Sequence, residues 1–155
     1  MRLFLSVYTT YYIWIKDLIC LKKCVMSIQP FNSIWRLEMA FENVKQYFEK
    51  LGMGERVMEL TKSSATVEEA ADAIGCEAGQ IAKTMSFLLN DKPILIVMAG
   101  DSKADNKKYK NVFHQKAKMI PGDMVEALIG HTPGGVCPFA VNPDVTVYLD
   151  VSLKR

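Results

Sequence analysis

Gly130-His131-Thr132-Pro133-Gly134-Gly135-Val136-Cys137-Pro138-Phe139 packs three glycines and two prolines into ten residues. No helix or strand tolerates that density, so the stretch is a shaped loop around which the fold must be arranged. Glycine permits positive φ and close approach of backbone to a ligand, while Pro133 and Pro138 fix φ and remove N–H donors. The result is a stiff rim biased towards carbonyl acceptors. It suits a cationic or donor-rich ligand, such as an ammonium group, better than a phosphate, which needs convergent N–H groups. Immediately before it, Val125, Leu128 and Ile129 mark the apolar face of a helix. Pro121 fits that helix's first turn and Gly130 its end, so the loop starts where free carbonyls and the negative end of a helix dipole also favour a cation. The competing reading is a plain connector, since Gly/Pro clusters commonly mark turns.

Working outward, Lys83 stands in Ile81-Ala-Lys-Thr-Met-Ser-Phe87 at the mouth of an apolar run. Lys83–Leu89 and Pro93–Ala99 read as a β-hairpin joined through Asn90-Asp91-Lys92. Upstream, Phe41, Val44, Phe48 and Leu51 recur at helical spacing before Gly52. Val57–Leu60 suggests a short strand. Thr66 with Glu69 forms a capping-box pattern, opening a helix whose face is Val67, Ala70, Ala71 and Ile74 and which Gly75 ends. Gly100–Asp105 is a polar turn into a helix with Tyr109, Val112 and Phe113 inward and Lys107, Lys108 and Lys110 outward. Val145–Leu149 alternates as a strand.

At 155 residues, half of them hydrophobic, the chain has the size and composition of one globular domain. Its net charge of +2 does not announce a nucleic-acid binder. Lysines are nevertheless uneven: between Lys103 and Lys118 there are six against one acid, Asp105. That patch could guide a phosphate backbone; the bland alternative is a solvated helix face. Cys20, Cys24, Cys76 and Cys137 include no Cys-x-x-Cys, and His114 and His131 are far apart, so no metal-site spacing is present. Reduced thiols in a cytoplasm are expected. Residues 1–38 form a compositionally distinct extension whose only acids are Asp17 and Glu38. Its uncharged run Leu3–Ile15 is 13 residues long, short of the roughly 20 apolar residues that span a bilayer. No stable membrane insertion is expected, and Met39 is the expected native start.

Ser64-Ala-Thr-Val-Glu-Glu-Ala-Ala71, Ile81-Ala-Lys-Thr-Met85, Ala99-Gly-Asp-Ser-Lys103 and Gly130–Phe139 occur in one order and spacing. In these blocks the chain resembles the YbaK/prolyl-tRNA synthetase editing-domain family from about Met39 to its C-terminus. The resemblance implies a single α/β (α+β) domain with a central mixed β-sheet flanked by short helices, spanning 39–155. It also implies hydrolysis of the ester of a mischarged aminoacyl-tRNA in trans, without cofactor or metal. The family's essential lysine falls on Lys83, and its glycine-x-x-x-proline loop on Gly134, Gly135, Val136, Cys137 and Pro138. His131, Asp101 and Lys103 complete the expected substrate contacts; His131 is also the runner-up general base, although a lone histidine in a loop is more often structural. Catalysis in the family is assisted by the terminal ribose hydroxyl of the tRNA.

Expected partners are a tRNA acceptor end carrying a small amino acid and, secondarily, an aminoacyl-tRNA synthetase. A non-catalytic module binding an aminoacyl or nucleotide group is the alternative function. Relatives continue past the position of Arg155 with further strands and a helix. The expectation is therefore a domain incomplete at its C-terminus, with Val145–Leu149 as an exposed sheet edge and weakened activity.

Overall fold

The computed structural model describes residues 5–6, 19–21, 32–60 and 66–154. Cys24, most of the Leu3–Ile15 run and the Ser64-Ala65 pair lie outside the described residues. The elements are β1 (Leu5–Ser6), β2 (Ile19–Leu21), α1 (Asn32–Lys50), β3 (Val57–Glu59), α2 (Val67–Ile74), β4 (Ala82–Leu89), β5 (Lys92–Ala99), α3 (Asn106–Phe113), α4 (Gly122–Ile129) and β6 (Thr146–Leu149). Four strands form one mixed sheet in the order β1-β6-β5-β4. β4 and β5 pair antiparallel, β5 and β6 parallel, and β1 closes antiparallel onto β6. β2 and β3 make a separate parallel pair. The α/β architecture expected from the sequence is the one observed.

The hairpin turns on two residues, Asn90 and Asp91, both at positive φ (51° and 59°). That is the mirror-image turn whose twist matches paired strands, and Asn and Asp tolerate it better than other side-chain-bearing residues. It fixes the register Leu89↔Lys92 through Ala82↔Ala99. Side chains alternate across the sheet, so the register sorts the core into two layers. Ile94, Ile96 and Met98 join Phe87 and Tyr109 on one face, which α3 covers. Leu95 joins Leu88, Ile120, Val125 and Ile129 on the other, which α4 covers. A third cluster, Val44 and Phe48 with Phe41, Met53, Val57, Cys137, Phe139 and Ala140, seats α1 against the Gly/Pro loop.

Helix ends follow the sequence closely. Thr66 accepts from Glu69 N–H at 3.1 Å, and Gly75 and Gly130 close α2 and α4 in the left-handed region. Five details differ. Val112 is 41 % exposed rather than inward, because α3 turns its Tyr109–Phe113 edge to the sheet and leaves the i+3 flank in solvent. Leu51 is also exposed, since α1 stops at Lys50 and the chain turns away. Pro121 is the cap before α4 rather than its first residue. β6 is an interior strand, because Leu5–Ser6 pairs along its outer side; α1 likewise starts at Asn32, ahead of Met39.

Leu95 is fully buried in the central strand, so truncation leaves a cavity between the sheet and α4. Leu95→Ala is expected to cost about 2–5 kcal/mol in urea denaturation, whereas Met119→Ala, at a 57 % exposed position, should shift stability little.

Candidate functional site

Gly100 ends β5, and its peptide is enclosed on every side. Its N–H donates to Ile81 O at 2.6 Å. A Cβ placed there would overlap the Ala78 carbonyl oxygen and lie 2.5 Å from Val67 Cγ1. Only glycine fits. One residue back, Ala99 N–H donates to Ser152 Oγ at 3.1 Å, and Asp150 N–H to Val97 O at 2.8 Å, so the C-terminal turn braces the same strand end. The Gly100 carbonyl accepts from Lys83 Nζ at 2.9 Å. Lys83 is half-buried, and its ammonium is thereby held against the end of the sheet by an acceptor that cannot move. Asp101 follows immediately and is exposed, with Ser102 Oγ 3.5 Å from its Oδ1; Lys103 is exposed beside it.

The loop is shaped by its own chemistry. Gly135 N–H donates to Thr132 O at 3.0 Å across Pro133 and Gly134, and Gly134 has φ +86°. Proline second and a positive-φ glycine third define a type II turn. His131, only 2 % exposed, donates from Nε2 to Phe139 O at 2.9 Å and ties the two ends of the loop together. Burial pulls its pKa below the usual 6.5, opposed by the Phe139 hydrogen bond, so the ring is neutral with its proton on Nε2. Phe139 packs edge-on against Phe48 at 4.7 Å between ring centres. Cys137 lies in the same cluster, its thiol pushed up to about 11 by burial. Such a thiol stays protonated at neutral pH and is no nucleophile.

Two expectations change. His131 is a latch and not a poised base, because its Nε2–H ties it to Phe139 O while burial encloses the ring and lowers its basicity. The C-terminal carbonyls of α4 are not free either: Asn142 takes Ile129 O through its N–H (2.9 Å) and Ala127 O through Nδ2 (3.1 Å), while Gly130 N–H takes Glu126 O. The carbonyls of residues 133–138, by contrast, make no backbone hydrogen bond among the described residues. The acceptor bias therefore sits in the loop itself. Thr132 Oγ1 is buried there without a partner among the described residues. Asn142 and Ser152 were not legible as supports, since neither belongs to a pattern with a local spacing, and Gly100 was legible only as part of a turn.

Lys83, Gly100, Asp101 and Lys103 are brought together, and Gly134 to Pro138 with His131 form a second group. Lys83 opposes Met98 in the register and so projects on the α3 face. Val136 packs on the α4 face. A site using both groups must therefore wrap the end of β4. No three His, Cys, Asp or Glu side chains are grouped for a metal among the described residues. No helix among them is long and apolar enough to cross a membrane.

The fold is a mixed sheet with a lysine hydrogen-bonded at a strand end on one face and a Gly/Pro loop with unbonded carbonyls packed on the other. The chain belongs to the aminoacyl-tRNA editing domain family, whose model matches residues 61–155. It is 48 % identical over 118 residues to the uncharacterized protein YwhH of Bacillus subtilis strain 168, covering 76 % of this chain and 75 % of that one. It is 33 % identical over 106 residues to a proline–tRNA ligase of Limosilactobacillus fermentum, covering 62 % of this chain but only 18 % of the ligase. A crystal structure described as a candidate trans-editing enzyme for prolyl tRNA synthetase superposes with a TM-score of 0.66 at 30 % identity, over 82 % of this chain and 76 % of that one.

The latch makes a pH prediction. Because the folded pKa of His131 is depressed, the unfolded chain binds the extra proton first as pH falls below 6.5. Stability is then fully present above 6.5 and is lost as pH falls towards the folded value. His131→Gln should flatten the slope of unfolding free energy between pH 6.5 and 5; an unchanged slope would show that His131 is not buried neutral.

Proposed function

We propose that the chain is an aminoacyl-tRNA deacylase acting in trans, hydrolysing the ester between a small amino acid and the 3′ end of a mischarged tRNA. The observation that carries the reading is the Lys83 ammonium fixed on the Gly100 carbonyl, in a chain of the editing family. Water attacks the ester carbonyl, the acyl C–O bond breaks, and the products are free amino acid and a tRNA with its ribose hydroxyl restored. Negative charge develops on the carbonyl oxygen, and a preorganised cation stabilises it without reorganising. Lys83 takes that role or holds the terminal phosphate beside it. Neither is available to the plain connector reading of this region.

The substrate's α-ammonium is assigned to the carbonyls of residues 133–138. Gly134 has open space where a side chain would stand, so the ligand can approach the backbone there. With His131 buried and its basicity lowered, and Cys137 protonated, neither side chain serves as base or nucleophile. The free vicinal hydroxyl of the terminal ribose instead orients the attacking water and relays its proton to the departing ribose oxygen. Asp101 and Lys103 flank the entry to Lys83 and are assigned to the nucleotide end.

Deacylation of a panel of charged tRNAs tests the proposal. Wild-type chain should clear at least one small-amino-acid ester, and Lys83→Ala should slow it on the order of 10²–10³-fold, with melting temperature little changed. Lys83→Arg should also fail, because a planar fork does not reproduce a compact ammonium at a single carbonyl. Wild-type rates in Lys83→Ala contradict the assignment; intact esters throughout, with the tRNA still bound, identify a binding module instead.

A further inference from the structure

The two helices that cover the sheet carry opposite charge. α4, on one face, bears Asp123 and Glu126 and no lysine or arginine. On the other face the chain leaves β5 at Gly100 and crosses as α3, where Tyr109 packs on Phe87, Ile94, Ile96 and Met98. It reaches the hairpin end where Gln115 Nε2 donates to Leu88 O at 3.1 Å. Residues 118–120 then pair along the outer edge of β4, with Leu88 N–H on Lys118 O and Ile120 N–H on Ser86 O. This crossing exposes Lys103, Lys107, Lys108, Lys110, Lys116 and Lys118. None of the six forms an ion pair with a described residue. Asp105, the one acid among them, spends its carboxylate capping α3, accepting from Lys107 N–H at 2.8 Å and Lys108 N–H at 3.0 Å.

The register places the Lys83 side chain on this same face, at the end where the lysine strip begins. From Lys83 to Leu89 the strand measures about 20 Å at roughly 3.3 Å per residue. A strip of that length matches a short run of duplex, which carries one phosphate charge per ~1.7 Å of axis. Exposed lysines along α3, with the carboxylates of α4 on the opposite face, orient an approaching polyanion; Asp91, which lines a pocket with Lys116 and Lys118, lowers the positive charge at the hairpin end.

We propose that Lys103 to Lys118 form the docking strip for the phosphate backbone of an RNA duplex whose 3′ end enters the Lys83 site. The identity of the RNA as a charged acceptor stem rests on the deacylase reading; the strip itself rests on the fold and its charges. The duplex lies over α3, and its single-stranded end turns around the end of β4 to meet the loop.

The test compares the wild-type chain with Lys107→Gln/Lys108→Gln/Lys110→Gln, which leaves Lys83 and Lys103 in place. Two substrates are used: a charged acceptor-stem minihelix and an aminoacylated CCA trinucleotide. The triple variant should lose about tenfold or more in kcat/KM on the minihelix through KM, with kcat preserved. Its log KM against log salt should be shallower by roughly 0.7–0.9 per phosphate contact removed, and cleavage of the trinucleotide should be unchanged. Equal losses on both substrates, or an unaltered salt slope, overturn the proposal. Anisotropy of an uncharged fluorescent minihelix separates it from the deacylase reading. Binding by wild type that the triple variant weakens, with no ester cleaved by either, keeps the strip and removes the deacylase; no binding by wild type removes the strip.

Discussion

The Gly100 peptide is the constraint on which the rest of the site depends. It is walled by the Ala78 carbonyl and the Val67 side chain, tethered to Ile81 O, and braced through Ala99 by Ser152. An acceptor so confined keeps its direction, so the ammonium hydrogen-bonded to it is positioned by packing rather than by another charge. Building the site this way avoids a buried carboxylate partner, which would pair with Lys83 and spend the charge the ligand needs. A neutral carbonyl orients the lysine and leaves its charge intact.

The loop applies the same economy to the opposite sign. His131 and Asn142 fasten its two ends, the first across to Phe139 and the second onto the last turn of α4. Phe139 and Cys137 anchor it on Phe48 of α1. What remains free between those ties is a set of carbonyls at prolines and glycines. Ordering them beforehand removes an entropic cost that a mobile loop would incur on binding. In the proposed deacylation, the cation at the end of β4 meets the developing negative charge of the ester and the loop acceptors meet its ammonium.

Much of the fold was legible because local rules decide it. The hairpin follows from two apolar runs around Asn90-Asp91, and α2 from Thr66, Glu69 and Gly75; short-range chemistry alone specifies each. Lys83 and the Gly134–Pro138 loop were found as a pattern in order along the chain. Their relation in space was not, since it is set by strand register, which sends Lys83 and Val136 to opposite faces. His131 shows the same limit from the other side: a histidine in a glycine-rich loop suggests a base, and only its burial and its bond to a carbonyl eight residues away make it a latch. Val112 and β6 were misplaced for a related reason, because helix rotation and strand neighbours are tertiary choices.

The claim underlying this account is that Lys83 is immobilised as an ammonium on the Gly100 carbonyl. Side-chain NMR of the lysine ammonium groups, with Lys83 assigned from the spectrum of Lys83→Arg, measures this directly. The account predicts a rigid Lys83 NH₃⁺ whose protons exchange with water far more slowly than those of Lys107 or Lys110, with a scalar coupling from its Nζ across the hydrogen bond to the Gly100 carbonyl carbon. A Lys83 ammonium as mobile and as rapidly exchanging as the surface lysines, with no such coupling, would contradict it.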